Sequence, residues 1–450
     1  MQFSLVSTVA AASVPFCIGY AFRKGDVPAG KSVVGSIASL QVTPKNYWPD
    51  GSLKFAVVAG HAALSAGNSS TVSLSVGTAS AGTNLTTADL KATGVAATTG
   101  CGSFGTVTWA ATDWDGPFQN WISGPEMSSW IYRKPVGSDK HLVAWLEVRL
   151  FKGGAVEVLP WIENGYLMVA GPTNKSTTYS FTLGGTQRFS QAIDLPNHCR
   201  TPLVSGGALS HWLSPDPAVT PRHDTAYLQA TRLVPSYGAT VAPDAAAVGR
   251  LASTFTPLQL GNYTTPMGNA GYQPSIGLLP EWDVLYLTSS SSKPYRALQF
   301  HAYSAGRYGS HYRDETTNRP LAFSSYPNLV IGGGSNGVSG TGASSKNTYT
   351  PDSTGTTPDV WDTPHHPSIG YMAYVVTGRF YFMEEVQFVS TLMFIQNTDT
   401  NRQFSKGVLL THAGANTTRG AAWALRTLAQ ACTVTPDTDA LAAEFLSTLK

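Results

Sequence analysis

Charge is what this sequence has least of. Asp, Glu, Lys and Arg make up 12% of 450 residues, about half the share usual in a globular domain. The net charge is +2 and no Lys/Arg run occurs, so a nucleic acid or an anionic membrane finds no basic surface here. No apolar run reaches the length of about 18 residues that a membrane-spanning helix needs. There are 4 cysteines, Cys17, Cys101, Cys199 and Cys432, without C-x-x-C spacing, which argues against structural zinc and against a disulfide framework. Walker, Rossmann, G-x-S-x-G, H-E-x-x-H and D-x-D-x-D patterns are all missing, so no cofactor and no metal is expected. Residues 1–22 are apolar but carry no basic residue before Arg23 and Lys24. Val14–Phe22 is therefore read as a first strand rather than as part of a signal peptide.

What is present is apolar and neutral polar. Hydrophobic residues reach 42%, ample for a core, and a chain this long calls for two or three domains. Residues 14–190 read as β, with short runs such as Phe55–Ala59, Thr71–Val76, Val143–Leu150 and Ala155–Ile162 punctuated by Gly, Pro, Asn and Ser. Gly153-Gly154 marks a hairpin turn, and the low-complexity stretch 77–105 reads as an exposed loop or edge strands. Residues 191–270 are mixed: Leu203–Leu213 and Ala226–Val234 read as strands, and Asp244–Phe255 as a short helix. From about 271 the period changes to that of helices, at Trp282–Thr288, Pro294–Tyr308, Pro367–Thr377, Phe380–Asn397, Arg419–Val434 and from Asp439 onward. A polar insertion, 310–362, interrupts them and contains Gly332-Gly333-Gly334. The expected class is multidomain β plus α: a β-barrel or β-sandwich region over 1–190, a mixed linking region over 191–270 and paired helices over 271–450.

Two motifs carry a family resemblance. PFCIGYAFRKGDVPAGK is followed by LQVTPKNYWPDGSLKFAVVAG, which contains Trp48, Pro49, Asp50, Gly51, Ser52, Leu53 and Lys54. The first fits G-x-x-F-x-x-G-x-x-P and the second W-P-D-G-S-[VIL]-[KR], and together they resemble the exo-rhamnogalacturonan lyase and YetA-like family. The later segments WDVLY, HYRDETTNRP, HHPSIGYMAYVVTGRFYFMEEVQF and RGAAWALRTLAQA are similar to the helical part of bacterial and phage-borne relatives. The resemblance implies a RIFT-related N-terminal barrel, a partial α/α toroid and an acidic polysaccharide substrate cleaved by β-elimination. It assigns no catalytic residue in this chain.

Those residues are sought from chemistry instead. His311, Tyr312 and Arg313 open the insertion; a base, an acid and a carboxylate clamp are what uronate elimination requires. His365 and His366 precede the helix bearing Tyr371, and all three are further acid/base candidates. Arg419, Trp423 and Arg426 share a helical face, offering a clamp and a stacking platform; Trp282 is a further stacking candidate. The two His/Tyr clusters are expected to face each other across one cleft, and Arg426 to pair with Glu384 or Glu385. A polysaccharide lyase is the first expectation. A glycan-binding module or virion tail component, and a glycoside hydrolase, are the alternatives. The partner is a glycan, with homo-oligomer or virion assembly possible and an extracellular or virion-associated location favoured.

Overall fold

The computed structural model describes residues 1–79, 81–169, 173–238, 241–264, 273–331, 337–339, 358–359, 361–397, 399–407 and 418–450. Strands β1 (Gln2–Ser7), β2 (Ala11–Ala21), β3 (Ser32–Gly35), β4 (Ser39–Tyr47), β5 (Leu53–Leu64) and β6 (Ser69–Gly77) come first. Helix α1 (Thr87–Ala92) leads to β7 (Ala97–Cys101), β8 (Thr106–Trp109), β9 (Gln119–Ile122), β10 (Met127–Pro135), β11 (Leu142–Phe151) and β12 (Val156–Asn164). Then follow β13 (Lys175–Leu183), β14 (Thr186–Leu195), β15 (Cys199–Pro202), β16 (His211–Trp212) and β17 (Val219–His223). Helices α2 (Thr225–Ala230), α3 (Ala245–Arg250), α4 (Glu281–Ser289) and α5 (Ser292–Ser304) precede the small ribbon of β18 (Leu329–Ile331) and β19 (Gly337–Ser339). The chain ends in α6 (Tyr371–Thr377), α7 (Phe380–Ile395), α8 (Thr418–Val434) and α9 (Ala442–Leu449).

The protein is β-rich, built of antiparallel sheets with most of its helix after residue 280. One sheet runs β17-β1-β6-β3 and packs on β2-β5-β4; a central sheet runs β15-β12-β11-β10-β9, with β16 also on β12; a fourth runs β14-β13-β7-β8. Burial explains the central hairpin's sequence. Leu146, Val148, Val158 and Ile162 face the fourth sheet, whereas Val143, Trp145, Leu159 and Trp161 face the helices. A strand covered on both faces is apolar at nearly every position, so Val143–Leu150 and Ala155–Ile162 read as near-continuous apolar runs. At the turn, Gly153 and Gly154 adopt φ of 90° and 91°, as the hairpin reading required. The Trp48–Ser52 segment is likewise a turn, closed by Trp48 N–H donating to Ser52 O at 2.7 Å and by Ser52 Oγ donating to Asp50 at 2.6 Å.

Several local expectations are corrected. The first strand is Gln2–Ser7, not the one at Val14, and it pairs with residues 219–223, a partner more than 200 positions away. The stretch 77–105, expected as exposed loop or edge strands, holds a capped helix and a strand that lies inside its sheet. Ala226–Val234 begins in a short helix that Asp224 caps, not in a strand. Pro367–Thr377 turns helical only at Tyr371, after Gly370 at φ 73°. Of the insertion 310–362, residues 310–331 pack against the core, and Gly332-Gly333-Gly334 lie outside the described residues. Among the described residues no helix is long and apolar enough to cross a membrane.

One close approach positions the chemistry below. A Cβ on Gly19 of β2 would lie 2.4 Å from Val375 O, and one on Gly378 would lie 2.6 Å from Val57 of β5. Trp121 Nε1 donates to Gly378 O at 2.9 Å. The end of α6 is thus pressed onto β2 and β5, and the next residue, Arg379, starts α7 directly over the central sheet.

Candidate functional site

Register across three strands builds the site. Arg149 on β11 stands opposite Glu157 on β12, and Glu157 stands opposite Trp212 on β16. Directly opposed residues point to the same face, so a guanidinium, a carboxylate and an indole form one row on the helix-facing side. Behind it, Glu147 accepts from Arg149 Nε at 2.9 Å. From above, Arg379 Nη2 pairs with Glu157, while Ser210 Oγ donates to the same carboxylate at 2.6 Å. Burial alone would raise the Glu157 carboxyl, but Arg379, Arg149 and Ser210 outweigh it and hold the group below the ordinary carboxylate range. The row therefore carries fixed, ionised charges.

A cavity of about 390 Å³ opens over this row, at the junction of β2, β11, β12, β16 and α5. Tyr295 and Gln299, four apart on α5, form one wall, and Cys17 of β2 another. Trp212 is half-buried and stacks on Phe151 with ring centroids 5.7 Å apart and planes 22° apart. Three guanidiniums, Arg149, Arg296 and Arg379, line the space with two carboxylates, Glu157 and Asp216. Arg379 is 5% exposed, yet its Nη1 has no hydrogen-bond partner among the described residues, and its nearest carboxylate contact is 3.8 Å away at Glu147. A buried, unused guanidinium N–H costs free energy unless something completes it. Burial pushes the Cys17 thiol up to about 11 and the Tyr295 phenol well above its usual range, so both stay protonated at neutral pH.

The residues singled out from sequence lie elsewhere. His311, Tyr312 and Arg313 do lie outside regular elements, but they are buried rather than open to solvent. Arg313 does not pair with its neighbours Asp314 or Glu315; it forks onto Glu163 Oε2 at 2.9 Å and Glu384 Oε2 at 2.8 Å. Arg200, which faces Glu163 across the β12–β15 ladder, binds Glu384 at 2.9 Å and Glu385 at 2.8 Å. His311 Nε2 meets Glu385 at 2.9 Å, and Tyr312 stacks on His198 at 3.9 Å. Glu384 and Glu385 are thus neutralised by Arg200, Arg313 and His311, not by Arg379 or Arg426. Burial would raise Glu385, but Arg200 and His311 hold it at about 2.

Most of the other candidates are also held by packing, His365 and Arg419 excepted. His366 is buried between Thr363 O at 2.6 Å and Thr427 Oγ1 at 3.0 Å, and burial keeps it neutral. Tyr371 donates to Leu233 O, and Trp282 stacks on His301 at 4.1 Å. Arg426 donates to Gly277 O at 2.6 Å and His366 O at 3.1 Å and lies over half-buried Trp423 at 4.8 Å. His365 contacts Asp362 and Arg419 Nη2, the latter at 2.6 Å, near the surface. The two His/Tyr segments do converge, since Glu385 receives His311 and a Cβ on Gly370 would lie 2.9 Å from Glu385 Cβ. They meet through packed interior, however, and not across a cleft. None of these residues lines the cavity. Among the described residues no group of His, Cys, Asp and Glu is arranged to hold a metal ion.

The sequence does carry a signal for the cavity: Arg149 and Glu157, with Glu147 behind them, interrupt runs that are otherwise apolar and buried, where an unpaired charge is too costly to persist. Compared with protein-family models, with curated proteins and with solved structures, the chain matches none.

Proposed function

We propose that this protein handles carbohydrate and takes an acidic, uronate-containing glycan in the cavity over Arg149, Glu157 and Trp212. The observation that carries the reading is a cavity lined by three guanidiniums, Arg149, Arg296 and Arg379, that also presents an indole, Trp212. A pyranose offers an apolar C–H face for the indole, and a uronate adds the planar carboxylate that a guanidinium fork fits. The motifs in residues 15–60 support the same substrate class, together with a RIFT-related barrel in the front of the chain and a partial α/α toroid in the helical part.

The resemblance favours β-elimination as the chemistry. In this cavity Tyr295 is the phenol at hand, but burial raises it and makes it a poor proton donor. Glu157 is a weak base, since Arg149, Arg379 and Ser210 all bind it. The cavity is therefore better equipped to bind an acidic sugar than to deprotonate one. Incubation with a panel of uronate and neutral glycans tests both. Selective retention of uronate oligosaccharides is expected, and equal retention of the neutral ones overturns the reading. A rise in ultraviolet absorbance marks a lyase, hydrolysis products without that rise mark a glycosidase, and retention without products marks a binding or virion component.

A further inference from the structure

We infer that the ligand is an oligosaccharide that crosses Trp212 and places a second acidic sugar on its far side, beside Arg188. This rests on the reading of the cavity as an acidic-sugar site. A second, shallower depression of about 400 Å³ adjoins the first and shares Ser210, Trp212 and Asp216 with it. Each space lies toward the small end of the range for ligand sites, about 300–1,000 Å³. Two adjoining spaces with one wall in common suit a chain of linked rings better than one large ligand.

The shared wall is rigid. Trp212 is held in register against Glu157, and its ring is stacked on Phe151. Its neighbour His211 is pinned by Leu203 O at 2.8 Å and by stacking on Phe181 at 5.3 Å. Ser210 Oγ binds Glu157 on the deep side, so the same short segment organises both spaces. The second space draws its cation from another sheet: Arg188 is exposed on β14, and its charge helps lower the His211 imidazole after burial has done so. The two guanidiniums at opposite ends, buried Arg379 and exposed Arg188, thus flank an indole partition. A linked pair of uronates can place one ring in each space, whereas a single uronate occupies only one of the two.

Calorimetric titration with galacturonic acid, its dimer and its trimer tests this, using the wild-type chain, Arg188→Gln and Arg379→Gln. The wild type should bind the dimer at least about tenfold more tightly than the monomer, because the second ring binds as a tethered group. Arg188→Gln should erase that increment and leave the monomer unchanged; Arg379→Gln should weaken every length. Equal affinity for monomer and dimer, or an Arg188→Gln variant that keeps the increment, overturns the second site while leaving the cavity reading intact. Failure of the wild type to bind any length overturns the cavity reading as well.

Discussion

Replacing Arg313 by methionine keeps a long side chain in place but removes the charge that two buried carboxylates share. Arg313 is fully buried and binds Glu163 and Glu384 with both arms of its fork. Without it, Glu384 keeps Arg200 at 2.9 Å, while Glu163 keeps only the same guanidinium at 3.6 Å. Stranding a buried charge by removing one partner costs about 3–5 kcal/mol, which is the loss expected in urea unfolding at pH 7. Adding Glu163→Gln should return at least half of it, because the uncompensated carboxylate is gone. The pH dependence has a definite sign. Glu385 is held at about 2 against an ordinary 4.5; as a depressed carboxylate it stabilises the fold above pH 4.5, and that contribution, about 3 kcal/mol, is lost as the pH falls to 2. In Arg313→Met the stranded carboxylates are instead relieved by protonation, so the gap between variant and wild type should narrow as the pH falls from 7 towards 4. A loss below about 1 kcal/mol, unchanged with pH, would refute the claim that these charges are buried and mutually neutralised.

Other outcomes follow from single groups. Arg426→Ala strands two carbonyls rather than a carboxylate, so a loss of about 1.5–3 kcal/mol per charged hydrogen bond is expected in thermal or urea unfolding, with uronate affinity unchanged. Burial lowers His198 to about 3 and His223 and His301 to about 4. Such groups take up protons only when the chain unfolds, so stability should fall as the pH drops below 6.5, by about 4 kcal/mol per pH unit when all three act together; a flat profile between pH 6 and 4.5 would contradict it. Cys17, raised to about 11 by burial, should react slowly with iodoacetamide at pH 8, faster as the pH approaches 11, and more slowly again when a uronate oligosaccharide fills the cavity.

What could be read from the sequence was local. The Pro-Asp-Gly-Ser turn, the Gly-Gly hairpin and the helix over Phe380–Asn397 all depend on neighbours within a few residues, and each lies where the pattern put it. The pairing of Gln2–Ser7 with Val219–His223 does not, and no period within either segment announces the other. The site is less legible still. Cys17, Arg149, Glu157, Trp212, Tyr295 and Arg379 come from separate elements, and only the ladder register and the close approach at Gly19 and Gly378 bring them to one cavity. The clusters that looked chemical, His311-Tyr312-Arg313 and His365-His366, are conspicuous because polar residues stand together. Here that density mostly serves to neutralise Glu384 and Glu385 and to tie down the segments around α7 and α8.

The most direct test is a crystal structure of the protein with a galacturonate dimer. The dimer is expected across Trp212, with one ring over the indole and its carboxylate among the guanidiniums of the cavity. A dimer seated instead on the Asp362, His365 and Arg419 group, with the cavity over Glu157 left to solvent, would contradict it.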